Sequence, residues 1–90
     1  MTHHEKVVVD LEYPINVDGV EVTSLSLRRA NVMDIELTQN TKDNDLTKSI
    51  KMIANLSGMA PDHIRLLDAA DFGKVSSKVM DFFGDSLQEA

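Results

Sequence analysis

Residues 7–29 read VVVDLEYPINVDGVEVTSLSLRR, and this stretch decides the fold. Val7, Val9, Leu11, Tyr13, Ile15 and Val17 fall at every second position, the spacing of one face of a β-strand. Asp18-Gly19 then separates them from a second strand-like run. Both central residues of a tight type I′ turn need positive φ, which Gly takes freely and Asp tolerates. A two-residue loop pairs Val17 with Val20 and Ile15 with Val22. Beyond Val22 the apolar phase slips and resumes at Leu25 and Leu27. One extra residue near Thr23-Ser24, a β-bulge, returns the side chains to the same face and sets Leu25 and Leu27 opposite Leu11 and Val9. Pro14 lacks a backbone donor and belongs at an edge or a non-bonded position. A two-stranded hairpin is marginal alone in water. The rest of the chain, or another copy of it, must cover the apolar face.

The segment after the hairpin reads as helices. Asn31 can cap a short helix, with Asp34 three residues on in a near capping-box position, although Val32, Met33, Ile35 and Leu37 fit helical periodicity only in part. Residues 39–45 (QNTKDND) form a polar loop. From Asp45, Leu46, Ile50, Ile53 and Leu56 recur at helical spacing, with Lys48, Lys51 and Asn55 on a polar side. Gly58 suits the left-handed residue that ends this helix, and Pro61 can open the next, where Ile64, Leu66 and Leu67 are apolar. Asp68 caps a last helix whose stripe is Phe72, Val75, Val79 and Phe82 or Phe83, with Asp71 complementing the helix dipole and Gly84 as the stop. The expectation is one α+β domain over residues 1–90. It has an N-terminal antiparallel hairpin (7–29), three or four short helices (31–84) and flexible termini.

Composition narrows the function. The chain has 90 residues, 42% of them apolar, no Cys, and a net charge of −6. Such a surface repels nucleic acid and anionic membranes. Without Cys there is no disulfide or thiolate chemistry. The opening MTHHEKVVV lacks the long apolar core of a signal peptide, and no run approaches the ~20 apolar residues of a membrane span. A cytoplasmic protein is expected. A domain this small leaves a thin stability margin, and its hairpin has two edges, so a homo-oligomer is expected.

The search for chemistry returns little. His3 and His4 near the terminus have no third ligand at helical spacing. Asp10 and Glu12 share one strand face, the solvated one. Asp43-Asn44-Asp45 lacks the Gly and the distal Glu of a calcium loop. Asp85-Ser86-Leu87 has the tripeptide of an acyl carrier protein, but no helix-rich segment comes after the Ser. No Gly-rich phosphate loop and no nucleophile elbow is present. No cofactor, no metal and no catalytic activity are expected. Arg28-Arg29 is the densest positive charge, either a solvated strand end or a clamp for a partner's carboxylates.

One resemblance covers most of the chain. Leu11-Glu12-Tyr13-Pro14-Ile15, Asp18-Gly19, Val22 through Leu25-Ser26-Leu27-Arg28-Arg29 and Met33-Asp34 come first. Ile53-Ala54-Asn55-Leu56-Ser57-Gly58, Pro61, Leu66-Leu67-Asp68 and Asp71-Phe72 come after them in order. This arrangement resembles the phage tail assembly chaperones, the small E/41/14-type proteins of contractile-tailed phages and prophages. The family often has Pro after the Arg pair, where Ala30 stands here. The resemblance implies a non-enzymatic protein of the host cytoplasm that binds the tape measure protein, keeps it soluble during tail assembly and is absent from the finished virion. A small homo-oligomeric structural or regulatory subunit without a client is the alternative. The expected partner-binding residues are Arg28, Arg29, Phe72, Met80, Phe82 and Phe83. Neighbours on a helix lie about 100° apart, so one of Phe82 and Phe83 should be exposed. Met80 can repack against different sequences.

Overall fold

The computed structural model describes residues 6–83. Its elements run β1 (Lys6–Val17), β2 (Val20–Arg28), α1 (Val32–Gln39), α2 (Asp45–Ser57), α3 (Pro61–Ile64) and α4 (Ala69–Phe83). The fold is α+β, an N-terminal antiparallel hairpin followed by four helices. The turn falls at Asp18-Gly19, with φ of 52° and 84°. Asn16 Oδ1 accepts the Gly19 N–H at 3.0 Å and tightens it. Val17 faces Val20 and Ile15 faces Val22, as the two-residue loop requires.

The slip in phase exists, but its placement on β2 is wrong. Asp10 faces Ser24 while Ile15 faces Val22, so Leu11, Glu12, Tyr13 and Pro14 of β1 stand against Thr23 alone. The surplus lies on β1 and is three residues rather than one. Leu25 therefore faces Val9 and Leu27 faces Val7. An odd surplus changes which residues of β2 point inward, while β1 keeps its own alternation for Val9, Leu11 and Ile15. The cause lies 59 residues along the chain. Asp71, third residue of α4, accepts the Glu12 N–H on Oδ1 and the Tyr13 N–H on Oδ2, both at 3.0 Å. Pro14 has no donor to offer. A segment whose donors are held by a carboxylate cannot continue the ladder, and Tyr13 is left exposed.

The apolar face of the hairpin (Val9, Leu11, Ile15, Leu25, Leu27) meets Ile50, Met52, Ile53, Ala54 and Leu56 of α2, Ile64 and Leu67, and Val75 and Val79 of α4. α2 lies on β2 and α4 on β1. Asn44 caps α2 by accepting the Thr47 N–H at 2.8 Å, and Gly58 ends it with a left-handed φ of 75°. Asp68 Oδ2 accepts the Ala70 N–H at 2.9 Å at the start of α4. One stripe residue is corrected: Leu46, in the first turn of α2, is 59% exposed, whereas Ile50, Ile53 and Leu56 are buried. Of the apolar residues Leu66 and Leu67, the first is exposed and the second buried. Among the described residues no helix is long and apolar enough to cross a membrane.

Candidate partner-binding surface

The surface is set by how α1 is held. Asn31 and Asp34 form a full capping box: the Asp34 N–H donates to Asn31 Oδ1 at 3.0 Å, and the Asn31 N–H donates to Asp34 Oδ2 at 2.8 Å. The Asp34 residue is 4% exposed. Arg28, at the end of β2, donates to its carboxylate from Nη1 and Nη2, and Asn55 of α2 donates Nδ2–H at 2.7 Å. The Arg28 hydrogen bonds above all hold the Asp34 pKa down at about 2; the Asn31 N–H and the Asn55 amide add to this, and burial opposes it. The guanidinium of Arg28 is raised in turn, chiefly by the same hydrogen bonds.

α1 thus turns a carboxylate inward. Helical geometry then puts other side chains outward. Val32 is 79% exposed, Met33 65% and Leu37 60%. Met33 and Leu37 are four residues apart and neighbours on one face. An eight-residue helix anchored by ion pairing, with apolar side chains in solvent, inverts the usual arrangement of a surface helix.

Between α1 and α4, above α2, runs an open groove of about 410 Å³. Ile35, Thr38 and Gln39 form one wall, and Ser76, Val79 and Met80 the other. Asp45, Lys48, Ser49, Met52 and Ile53 of α2 form the floor. Ser76 Oγ is buried there without a hydrogen-bond partner.

The expected site residues are dispersed. Both Nη atoms of Arg28 are engaged by Asp34, and Nη1 also reaches Arg29 O at 3.0 Å. Arg29 is exposed; its guanidinium lies 5.3 Å from the Phe82 ring centroid, and its Nη2 is 3.5 Å from Phe82 O. Phe82 and Phe72 are both half-buried and pack against the core. Met80 is exposed on the groove wall. The side chain of Phe83 lies outside the described part, as do His3, His4 and Ser86. Arg29 and Phe82 are therefore brought together, and Met80 joins the groove. Sequence reasoning misses the outward role of Val32, Met33 and Leu37. Their one sequence signal is a helix whose apolar residues keep no period around a capping-box Asp. Among the described residues no group of three His, Cys, Asp or Glu could hold a metal ion.

Comparison with known proteins gives one match. The sequence model of the family described as "Phage tail assembly chaperone proteins, E, or 41 or 14" matches residues 8–84. No curated protein and no solved structure matches.

Proposed function

Because the chain belongs to the phage tail assembly chaperone family of proteins E, 41 or 14, we propose that it binds the tape measure protein and keeps it soluble while the tail is built. It does so without catalysing a reaction, in the host cytoplasm, for a contractile tail, and is left out of the finished virion. The carrying observation is α1, which presents Val32, Met33 and Leu37 to solvent while its carboxylate is locked inward. A chaperone needs apolar surface for a client's apolar segments, and a charged exterior to keep the complex dissolved. A net charge of −6 meets the second need. Within this reading Met80 contributes an adaptable contact. Arg29 over Phe82 offers a cation beside an aromatic ring, and Arg28 acts by holding α1. Phe72, in the first turn of α4, packs half-buried against the core at the far end of that helix, and Phe83 remains part of the proposed surface.

Co-expression with a tape measure protein from the same genome tests this. The parent chain should raise the soluble fraction of that protein. The double variant Met33→Asp, Leu37→Asp, at exposed positions that leave the core intact, should not. Equal solubility with and without the parent chain rules the reading out.

The same exposed residues favour a second reading, a homo-oligomeric subunit with no client. Light scattering of the purified chain separates the two. Self-association that Met33→Asp abolishes, with no effect of either protein on tape measure solubility, selects the second.

A further inference from the structure

We propose that β2 pairs with β2 of a second copy, antiparallel about a two-fold axis at Ser26, so that two hairpins join into one four-stranded sheet. The joint lies apart from the exposed side of α1 and does not depend on which client α1 holds.

The two outer edges of the hairpin differ. On β1, α4 closes the edge from Asp10 to Tyr13. Lys74 Nζ donates to Asp10 O at 2.7 Å, and Asp71 accepts the Glu12 and Tyr13 N–H groups. Pro14 and the surplus residues complete the interruption. On β2 nothing comparable exists. Among the described residues no backbone hydrogen bond outside the β1 ladder reaches β2. α2 covers the apolar face of the sheet, and α1 packs on α2. Leu25 and Leu27 are 2% and 0% exposed, so their backbone groups point into the ladder with Val9 and Val7. Ladder bonding alternates along an antiparallel strand, which turns the N–H and C=O groups of Ser24, Ser26 and Arg28 outward. Ser26 is exposed, and Ser24 and Arg28 are half-buried. From Thr23 to Arg28 the strand has no Pro, no Lys and no surplus residue, the devices that keep an edge unpaired. Its one charge, on Arg28, is held by Asp34 of its own chain.

The occupant is a second copy because this edge matches itself. A two-fold axis at Ser26 sets Ser26 against Ser26 and Ser24 against Arg28, the register in which all of these outward backbone groups find partners. Leu25 then faces Leu27 of the other copy on the core side of the sheet. The one acid of β2, Glu21, falls past the end of the opposite strand, so the net charge of −6 on each chain is not concentrated at the seam. An extended client segment would first have to give up its backbone freedom, whereas β2 arrives as a strand already held by β1. A two-stranded hairpin is marginal by itself, and joining two of them relieves that in both copies at once.

The test uses the full chain in solution. Sedimentation of the parent should show a dimer, and hydrogen exchange over residues 20–29 should slow as its concentration rises. Ser26→Lys sets like charges face to face across the axis. It should weaken the dimer by about tenfold or more and keep the circular dichroism of the parent, because the position is exposed. The chain has no cysteine, so Ser26→Cys reports on the joint alone. The two Cα atoms of such a pair lie about 5.5 Å apart, within reach of a disulfide. Mild oxidation should therefore cross-link Ser26→Cys into a dimer and leave Ser77→Cys, exposed on α4, uncross-linked. A strict monomer at high micromolar concentration overturns the proposal. So does a dimer that Ser26→Lys leaves intact, or one that only Met33→Asp disrupts, since α1 is then the joint. A monomeric parent whose effect on tape measure solubility is removed by Ser26→Lys also overturns it, because a client strand then occupies the edge. If the parent dimerises through β2 but fails to solubilise the tape measure protein, the chaperone reading falls and this joint stands.

Discussion

Arg28 and Asp34 face each other through two parallel hydrogen bonds, Nη1 to Oδ2 and Nη2 to Oδ1, each 2.9 Å long. The pair joins the end of β2 to the first turn of α1, and Asn55 ties the same carboxylate to α2. Three elements therefore meet on one buried side chain. What the pair holds is the orientation of α1, and with it the exposure of Val32, Met33 and Leu37.

Asp34→Asn should lower stability at neutral pH. A pKa of about 2 against the ordinary 3.8 means that folding favours the ionised form. The contribution is thus complete above the unfolded pKa and disappears as pH falls from 3.8 toward 2. A shift of this size corresponds to about 2 kcal/mol, reduced toward 1 because the Arg28 side chain is partly solvated. Denaturant unfolding at a series of pH values is the check. The stability gap between parent and variant should narrow as pH drops through that window. A gap that stays constant would falsify the assignment.

The Asp71 carboxylate accepts from two backbone donors of β1, and the residue is 1% exposed. Its pKa is held below the usual range, first by the Glu12 N–H, then by the Tyr13 N–H and the nearby Lys74 charge, against burial. Asp71→Asn replaces one acceptor with an amide that points its own hydrogens at an N–H. Amide exchange at Glu12 and Tyr13 should accelerate, with a lower thermal midpoint. The pairing of Val17 with Val20 should be kept, since the turn residues hold it. Unaltered exchange at Glu12 and Tyr13 would show that the surplus residues of β1 do not depend on this carboxylate.

Leu46 and Ile53 occupy the same stripe of α2 by spacing, yet one is 59% exposed and the other 1%. Ile53→Ala should cost about 2–5 kcal/mol, the range for emptying a core site. Leu46→Ala should stay within about 0.5 kcal/mol of the parent. Urea unfolding of the two variants compares them directly, and equal losses would mean that the first turn of α2 packs against the core as closely as its centre does.

Two glycines should respond with opposite sign. Gly58 ends α2 at a φ of 75°, and a Cβ there meets nothing within 4 Å, so the penalty for Gly58→Ala is conformational, about 1 kcal/mol. Gly73 lies inside α4, also with open space around a Cβ. Gly73→Ala should stabilise the protein by about 0.5–1 kcal/mol. Thermal unfolding of both variants is sufficient, and two shifts in the same direction would contradict the backbone argument.

The local features of this protein are legible in its sequence, because each depends on a few adjacent residues. Alternation of Val7, Val9, Leu11, Ile15 and Val17 (Tyr13 excepted), positive φ at Asp18-Gly19, the Asn31–Asp34 capping box and the left-handed Gly58 all express steric or hydrogen-bonding preferences within a turn or two. The ordered set of such features also carries the family resemblance. Only the tertiary structure decided which strand holds the surplus residues, since the Tyr13 N–H and Asp71 are 58 positions apart and either strand could have absorbed the change of phase. It also decided that Asp34, 21 positions from Asn55, turns inward and sends Met33 and Leu37 to solvent. Spacing along a helix says which side chains share a face. Which face is buried depends on the donors and acceptors that the rest of the chain brings to it.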